Sequence, residues 1–197
     1  MKNILLCGVG GQGTVLASKL IAQAAMEKGL EARSAETIGM SQRGGCVVSH
    51  VRIGKEIHSP MIPMGSADVI IGFEPGEAVR VLPYLKRGGS VIVCPEPIVP
   101  VTASLGVGGY DGSGCVEYLK GSGANVIVVH GNEICKECGS PKVLNTALLG
   151  AAAATGELEL SFDELRQALC NRLPEKLQAM NLKAMELGAK SCDAEVQ

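Results

Sequence analysis

A glycine-rich turn near the N-terminus, between an apolar run and a helical pattern, constrains the fold more than any other feature. Residues 2–7 (KNILLC) are apolar enough for a buried strand and lead into Gly8-Val9-Gly10-Gly11-Gln12-Gly13. Leucine, isoleucine and alanine then recur at helical spacing over residues 16–24. A strand that turns through glycines into a helix is typical of the first unit of a Rossmann-like α/β sheet.

The rest of the chain continues the alternation, with one interruption. Apolar runs predict strands over 30–36, 46–53, 67–73, 90–94 and 125–130, and helical patterns predict helices over 74–85, 113–120 and 143–155. A capping box at Ser161–Glu164 begins another helix, and Pro174 and Gly188 bracket the last one. The loop at 37–45 is too short for a crossover helix, so the next strand is predicted to be an antiparallel or edge strand of a mixed sheet.

These elements predict a three-layer α/β/α fold with a mostly parallel but mixed sheet and a helical C-terminal region. We expect a single domain over residues 1–197. Eighteen basic and twenty acidic residues give a net charge of −2, which argues against a nucleic-acid-binding or membrane-surface protein. No apolar run reaches the ~18 residues of a membrane span or the ~7 of a signal peptide, so a cytoplasmic protein is expected.

The glycine turn has two interpretations from the residues alone. Gly8, Gly10 and Gly13 fit the G-x-G-x-x-G pattern of dinucleotide-binding proteins, and Glu36 lies where an acid would bind the ribose. The same glycines could instead only allow close packing of helix and sheet. No third βα unit follows Glu36, and the three histidines form no hydride-transfer constellation, which weakens the hypothesis of a protein that binds NAD(P) or another nucleotide.

The eight cysteines are scattered, and only Cys135 and Cys138 have a metal-like spacing. A zinc or iron–sulfur site needs further ligands at defined distances, and the sequence offers none. The pair is therefore interpreted as two buried or half-buried thiols on one helical face, with a redox pair as the alternative.

Three segments together resemble the gamma-type domain of the 2-oxoacid:ferredoxin oxidoreductases, most closely the branch of indolepyruvate:ferredoxin oxidoreductase beta subunits. They are the glycine turn 8–13, the motif 39–45 (GMSQRGG) leading to Ser49-His50-Val51-Arg52, and Ala67-Asp68 with Glu74-Pro75-Gly76-Glu77-Ala78. Asn145, Leu149-Gly150-Ala151, Asn181, Ala184 and Gly188 extend the similarity over nearly the whole chain.

The resemblance implies a non-redox subunit of a complex that oxidatively decarboxylates a 2-oxoacid to an acyl-CoA. Thiamine diphosphate, magnesium and iron–sulfur clusters are then expected in a partner alpha subunit, with none in this chain, coenzyme A as co-substrate and ferredoxin as electron acceptor of the complex. Indolepyruvate and other aryl pyruvates are the leading substrates, while pyruvate, branched-chain oxoacids and 2-oxoglutarate stay open.

The candidate ligand or interface residues lie in the first two motifs, and no catalytic or metal-binding residue is assigned. They are Gly8, Gly10, Gly11, Gln12, Gly13, Gly39, Met40, Gln42, Arg43, Gly44 and Gly45. Arg43 could bind a carboxylate or phosphate bidentately, or it could form a salt bridge that fixes its loop. Gln12 could contact a ligand or cap loop carbonyls. His50 and Arg52 share a strand face, which favours a solvated or interfacial role, and Glu74 is predicted to cap a helix.

Overall fold

The computed structural model of the chain describes residues 1–38, 45–99 and 110–193. Its six-stranded sheet contains β1 (Lys2–Val9), β2 (Glu31–Ile38), β3 (Cys46–Gly54), β4 (Ala67–Gly72), β5 (Leu85–Val93) and β6 (Asn125–Val128). The helices are α1 (Thr14–Glu27), α2 (Pro75–Val81), α3 (Ser113–Gly121), α4 (Gly131–Cys138), α5 (Leu144–Ala154), α6 (Phe162–Arg172) and α7 (Glu175–Asp193). Within these ranges, none of the helices combines the length and the apolar character that crossing a membrane requires.

The sheet is mixed because β3 enters it in the reverse direction. The strand order is β2-β3-β1-β4-β5-β6, with β3 antiparallel to both of its neighbours. The pairs β1–β4, β4–β5 and β5–β6 are parallel. The short connection between β2 and β3 forces this arrangement, since a parallel pair needs a crossover of a dozen or more residues. The prediction of a mostly parallel, mixed sheet is confirmed.

Helices cover both faces of the sheet, as the three-layer prediction requires. One face packs on α1 and on the C-terminal helices, through side chains such as Leu20, Leu148 and Leu165. The other face packs on α2 and α3 through Ala78 and Leu119. Alternate residues of one strand therefore enter different cores, as the two-residue period of a strand dictates. The capping box of α6 is present, with Ser161 and Glu164 bonding reciprocally.

Two predicted helix ends are wrong. Helix α2 ends at Val81 and not at Leu85, because Leu82–Tyr84 form a 3-10 turn around Pro83 and Leu85 already begins β5. Gly188 does not end the last helix, since α7 continues to Asp193. Gly188 is instead the point where α7 contacts the backbone of α5 at Ala147. A glycine inside a helix costs about 1 kcal/mol relative to alanine, so its use here reflects a close helix crossing.

His50 and Arg52 hold the loop between β3 and β4, which corrects the expectation of a solvated or interfacial strand face. His50 is 2% exposed, and its Nδ1 accepts a hydrogen bond from the Ile62 amide at 3.2 Å. Arg52 donates to the Ser59 carbonyl and to Asn3 Oδ1, both at 2.9 Å. Both side chains therefore have a structural role on this strand.

Burial of His50 predicts a loss of stability in weak acid. Desolvation lowers the pKa of the imidazole below its ordinary value of about 6.5. The unfolded chain then binds a proton more readily than the folded one, so the unfolding free energy falls as pH decreases from about 6.5 towards the lowered pKa. Uptake of one proton changes the unfolding free energy by at most ~1.4 kcal/mol per pH unit.

Urea unfolding of the wild type and of His50→Asn between pH 5 and pH 8 measures this effect. The asparagine oxygen can still accept from Ile62 but does not titrate, so we expect a flatter pH profile. The matched control is His58→Asn, the same substitution at an exposed histidine. A profile as steep in His50→Asn as in the wild type would contradict the assignment.

Candidate functional site

The motif-bearing segments meet at the edge of the sheet where the parallel strands end. Cys7 of β1 lies beside Gly72 of β4, which lies beside Val93 of β5, and Val93 pairs with Val128 of β6. We call this the carboxyl edge. β3 begins at the same edge, with Cys46 opposite Val9. Open α/β sheets bind ligands in the crevice outside the carboxyl ends of their strands.

The glycine turn 8–13 forms the centre of the carboxyl edge. A Cβ on Gly8 would come within 2.7 Å of both Phe73 Cβ and Gln12 Oε1, so this position needs a glycine for packing. Gly11 is exposed and has a φ of +106°, and Gly13 has a φ of +86° at the N-cap of α1. The buried Asn145 at the start of α5 leaves no room for a side chain on Gly13. The turn is thus packed from below and open above Gly11.

Gln12 braces the turn through both ends of its amide. Its Oε1 accepts a hydrogen bond from the Val9 amide at 2.7 Å, and its Nε2 donates to the Phe73 carbonyl at 2.7 Å. The side chain therefore ties the end of β1 to the residue that follows β4. This is the arrangement expected if Gln12 caps loop carbonyls, and it fixes the shape of the turn.

The second motif is joined to the first by a backbone hydrogen bond. The Gly10 amide donates to the Gly45 carbonyl at 2.8 Å, so the residue before β3 lies against the glycine turn. Gly39, Met40, Gln42, Arg43 and Gly44 lie outside the described residues. The described ends of that segment lie at the carboxyl edge, since Ile38 is the last residue of β2 and Gly45 directly precedes β3.

The strand order argues against a dinucleotide-binding site. In that fold the second strand lies directly beside the first, which brings its terminal acid close to the glycine turn. Here β3 separates β2 from β1. Glu36 instead accepts a weak hydrogen bond from Ser18 Oγ of α1 at 3.4 Å.

A cavity of about 290 Å³ opens beside the glycine turn. Gly10, Gly11 and Gln12 form one wall, and Cys94, Glu96 and Ile98, which follow β5, form another. Pro97, together with Asn132 and Cys135 of α4 and the nearby Pro141 and Leu144, completes its described lining. Sequence analysis found the first wall but missed the second, because residues 94–98 carry no recognisable motif.

The Cys135–Cys138 pair lies on α4 as two buried or half-buried thiols. Cys135 is 8% exposed, and its thiol donates to the Pro141 carbonyl at 3.8 Å. Burial raises the pKa of both thiols, which disfavours the thiolate that redox and metal chemistry require. No three histidine, cysteine, aspartate or glutamate side chains in the described ranges lie close enough together to hold a metal ion.

A hydrogen-bonded pair at the same edge, the buried Glu74 and the half-buried Tyr110, escaped the sequence analysis. Glu74 is 3% exposed and caps α2 as predicted, since its Oε2 accepts from the Glu77 amide at 2.8 Å. The Tyr110 hydroxyl donates to Glu74 Oε1 and accepts from the Gly76 amide at 2.9 Å. Burial and the Glu74 carboxylate raise the pKa of Tyr110, so the phenol stays protonated as a donor. The chain after residue 109 is thereby attached to the N-terminus of α2.

Tyr110→Phe is expected to destabilise the protein by about 1–3 kcal/mol. The change leaves a buried carboxylate oxygen without its donor and the Gly76 amide without its acceptor. Chemical denaturation measures the loss. Tyr118→Phe is the control, because Tyr118 is 62% exposed and its removal should change stability by less than about 0.5 kcal/mol. Equal stability of both variants would show that the pair contributes nothing.

Comparison with solved structures defines the class of fold. The chain superimposes on the gamma subunit of the keto/oxoacid ferredoxin oxidoreductase of Geobacter sulfurreducens with a TM-score of 0.73, at 23% sequence identity and over 98% of this chain and 99% of that one. The fold is therefore that of an oxidoreductase gamma subunit.

Sequence comparison then gives the family. Residues 3–191 match the family model described as pyruvate ferredoxin/flavodoxin oxidoreductase. The indolepyruvate oxidoreductase subunit IorB of Thermococcus kodakarensis is 36% identical over 191 residues, which cover 96% of this chain and 95% of that one. The pyruvate/ketoisovalerate oxidoreductases common subunit gamma of the same organism is 29% identical over 94% of each chain. The chain belongs to the pyruvate ferredoxin/flavodoxin oxidoreductase family, which confirms the resemblance found in the sequence.

Proposed function

We propose that this chain is the non-redox subunit of an indolepyruvate:ferredoxin oxidoreductase, and that the carboxyl edge is the face that its thiamine-dependent partner covers. The observation that carries the proposal is the bond between Gly10 and Gly45, which places the exposed glycine turn and the end of the second motif on one surface. Backbone without side chains permits a close approach of another macromolecule or ligand. The higher identity to an indolepyruvate subunit than to a pyruvate/ketoisovalerate subunit supports an aryl 2-oxoacid as substrate.

The reaction of the complex would convert a 2-oxoacid, coenzyme A and two oxidised ferredoxins into an acyl-CoA, carbon dioxide, two reduced ferredoxins and a proton. Thiamine diphosphate with its magnesium supplies the decarboxylation, and the clusters carry the two electrons. The described residues of this chain fit neither group, because no three of their cysteine, histidine, aspartate or glutamate side chains lie close enough together to hold a cluster or a magnesium ion. We therefore assign both groups to the partner alpha subunit.

The role left to this chain is to bind and shape the active site from outside. Gln12 keeps the glycine turn in one conformation, so the exposed backbone at Gly11 is presented without reorganisation when the partner or coenzyme A arrives. The interface residues we assign are Gly10, Gly11, Gly39, Met40, Gln42, Arg43, Gly44 and Gly45, and the proposed part of Gly8, Gln12 and Gly13 is to shape the turn beneath them. The whole of residues 1–197 would serve as one domain of a cytoplasmic hetero-oligomer that contacts neither nucleic acid nor membrane.

Co-expression with the thiamine-dependent subunit of the same organism tests the proposal. We expect a stable complex that reduces ferredoxin or a viologen dye when indolepyruvate and coenzyme A are both present. Phenylpyruvate, pyruvate, a branched-chain oxoacid and 2-oxoglutarate, assayed in parallel, rank the substrates. A chain that does not associate with the partner, or that binds NAD or NADP at micromolar concentration in a calorimetric titration, would contradict the proposal.

A further inference from the structure

The described lining of the cavity beside the glycine turn contains one charged side chain, Glu96. Its Oε2 accepts a hydrogen bond from the Cys94 thiol at 2.7 Å. Burial and the neighbouring carboxylate raise the pKa of Cys94, so the thiol keeps its proton and holds the carboxylate in place. No lysine or arginine in the described ranges pairs with Glu96. A half-buried carboxylate in this cavity therefore lacks a described counter-charge.

The sign of this charge limits what the cavity can bind. A phosphate or carboxylate group would approach Glu96 as a like charge in a confined space of low dielectric constant, which is unfavourable. The diphosphate of coenzyme A is therefore a poor occupant. A cation would gain a charge-assisted hydrogen bond with Oε1 of Glu96, which bonds to no side chain of the described ranges.

The rim of the cavity is apolar and exposed, which favours a protein occupant over a small cation. Ile98, in the lining, is 38% exposed, and Pro97 and Leu144 contribute further apolar surface to the lining. The methylene stem of a lysine or arginine can pack on such a surface while its charged end reaches a buried acceptor. Arginine held in a pocket with an apolar surround is typical of the residues that dominate the binding energy of interfaces.

We propose that this cavity is a socket for a basic side chain, lysine or arginine, of the thiamine-dependent partner subunit, with Glu96 as its acceptor and Ile98 and Leu144 against its stem. The proposal rests on the proposed function, since it needs that partner. It assigns the residues after β5, which no motif marks, to the same interface as the glycine turn. Glu96 sets which partner is accepted, because a neutral or acidic side chain would leave the carboxylate without a counter-charge.

Binding constants for assembly with the partner, measured with Glu96→Gln and Glu96→Lys, test the socket. We expect the dissociation constant to rise at least threefold for Glu96→Gln and at least tenfold for Glu96→Lys. The matched control is Glu186→Lys, the same change of charge on an exposed position of α7, and should stay within twofold of the wild type. Circular dichroism and thermal unfolding of each isolated variant determine whether it is folded. If Glu96→Lys does not fold, the test depends on Glu96→Gln, which has nearly the same shape as the wild-type side chain.

A photo-crosslinking residue in place of Ile98 identifies what enters the cavity, and we expect the crosslink next to a lysine or arginine of the partner. If both Glu96 variants bind the partner with the dissociation constant of the wild type, the socket proposal is wrong and the proposed function is unaffected. Normal assembly with a raised KM for coenzyme A overturns it in favour of a coenzyme A site. Failure of the wild-type chain to bind the partner refutes the proposed function and the socket with it.

Discussion

Gly188→Ala and Gly150→Ala are each expected to destabilise the protein by about 3 kcal/mol or more. The two glycines face each other's helix where α5 and α7 cross. A Cβ on Gly150 would overlap the carbonyl oxygen of Met185, and a Cβ on Gly188 would overlap that of Ala147. A backbone oxygen cannot rotate away as a side chain can, so the helices themselves must separate. For a chain of this length, the loss corresponds to roughly 6–12 °C in Tm.

Gly114→Ala is the matched control for these variants. Gly114 also lies within a helix, α3, but a Cβ there would meet no atom within 4 Å. Alanine is the better helix former, so this variant should be unchanged or more stable by up to about 1 kcal/mol. Thermal and urea unfolding of the three variants distinguish the effect of the backbone contact between the helices from the effect of helix propensity. Similar stability of Gly188→Ala and Gly114→Ala would mean that the helix crossing tolerates a methyl group.

The contrast between these glycines shows where sequence patterns lose information about the fold. The mixed sheet was predictable because the length of the β2–β3 connection is a local property, and so was the capping box at Ser161. Gly188 fits the local pattern of a helix end. A glycine is needed there because the position contacts the backbone of α5, some forty residues earlier in the chain. Pattern analysis has no access to such a contact, because both partners present only backbone.

The part of the candidate site that is made of backbone was the most predictable from the sequence. The glycine turn is recognisable in the sequence because four of its six residues are glycines. Its position directly after β1 places it at the carboxyl edge. Glu96 and the Tyr110–Glu74 pair are ordinary residues whose significance comes from burial and from partners distant in sequence. The sequence identified Gln12 as a candidate but left open whether its amide contacts a ligand or the loop. The structure decides this, because the amide bonds to the backbone groups of Val9 and Phe73.

Arg43→Ala is expected to lower the aryl-pyruvate-dependent activity of the assembled complex ten- to hundredfold without unfolding the chain. Arg43 lies outside the described residues, and it is two positions before Gly45, which bonds to the glycine turn. If its guanidinium binds a carboxylate or phosphate of the complex, removing that charge-assisted contact costs about 1.5–3 kcal/mol. Each 1.36 kcal/mol is a factor of ten in rate or binding.

The alternative, a salt bridge that only fixes the loop, gives a different pattern in two further variants. Arg43→Lys keeps the charge but loses the planar, bidentate geometry, so it should recover less than a tenth of the lost activity if ligand recognition matters and most of it if the role is a salt bridge. Arg33→Ala, which removes an exposed arginine from β2, should leave activity unchanged. Steady-state kinetics of the assembled complex, with kcat and KM for oxoacid and coenzyme A determined separately, distinguish the two roles. Wild-type turnover by Arg43→Ala would remove Arg43 from the interface and leave recognition to the glycine backbone alone.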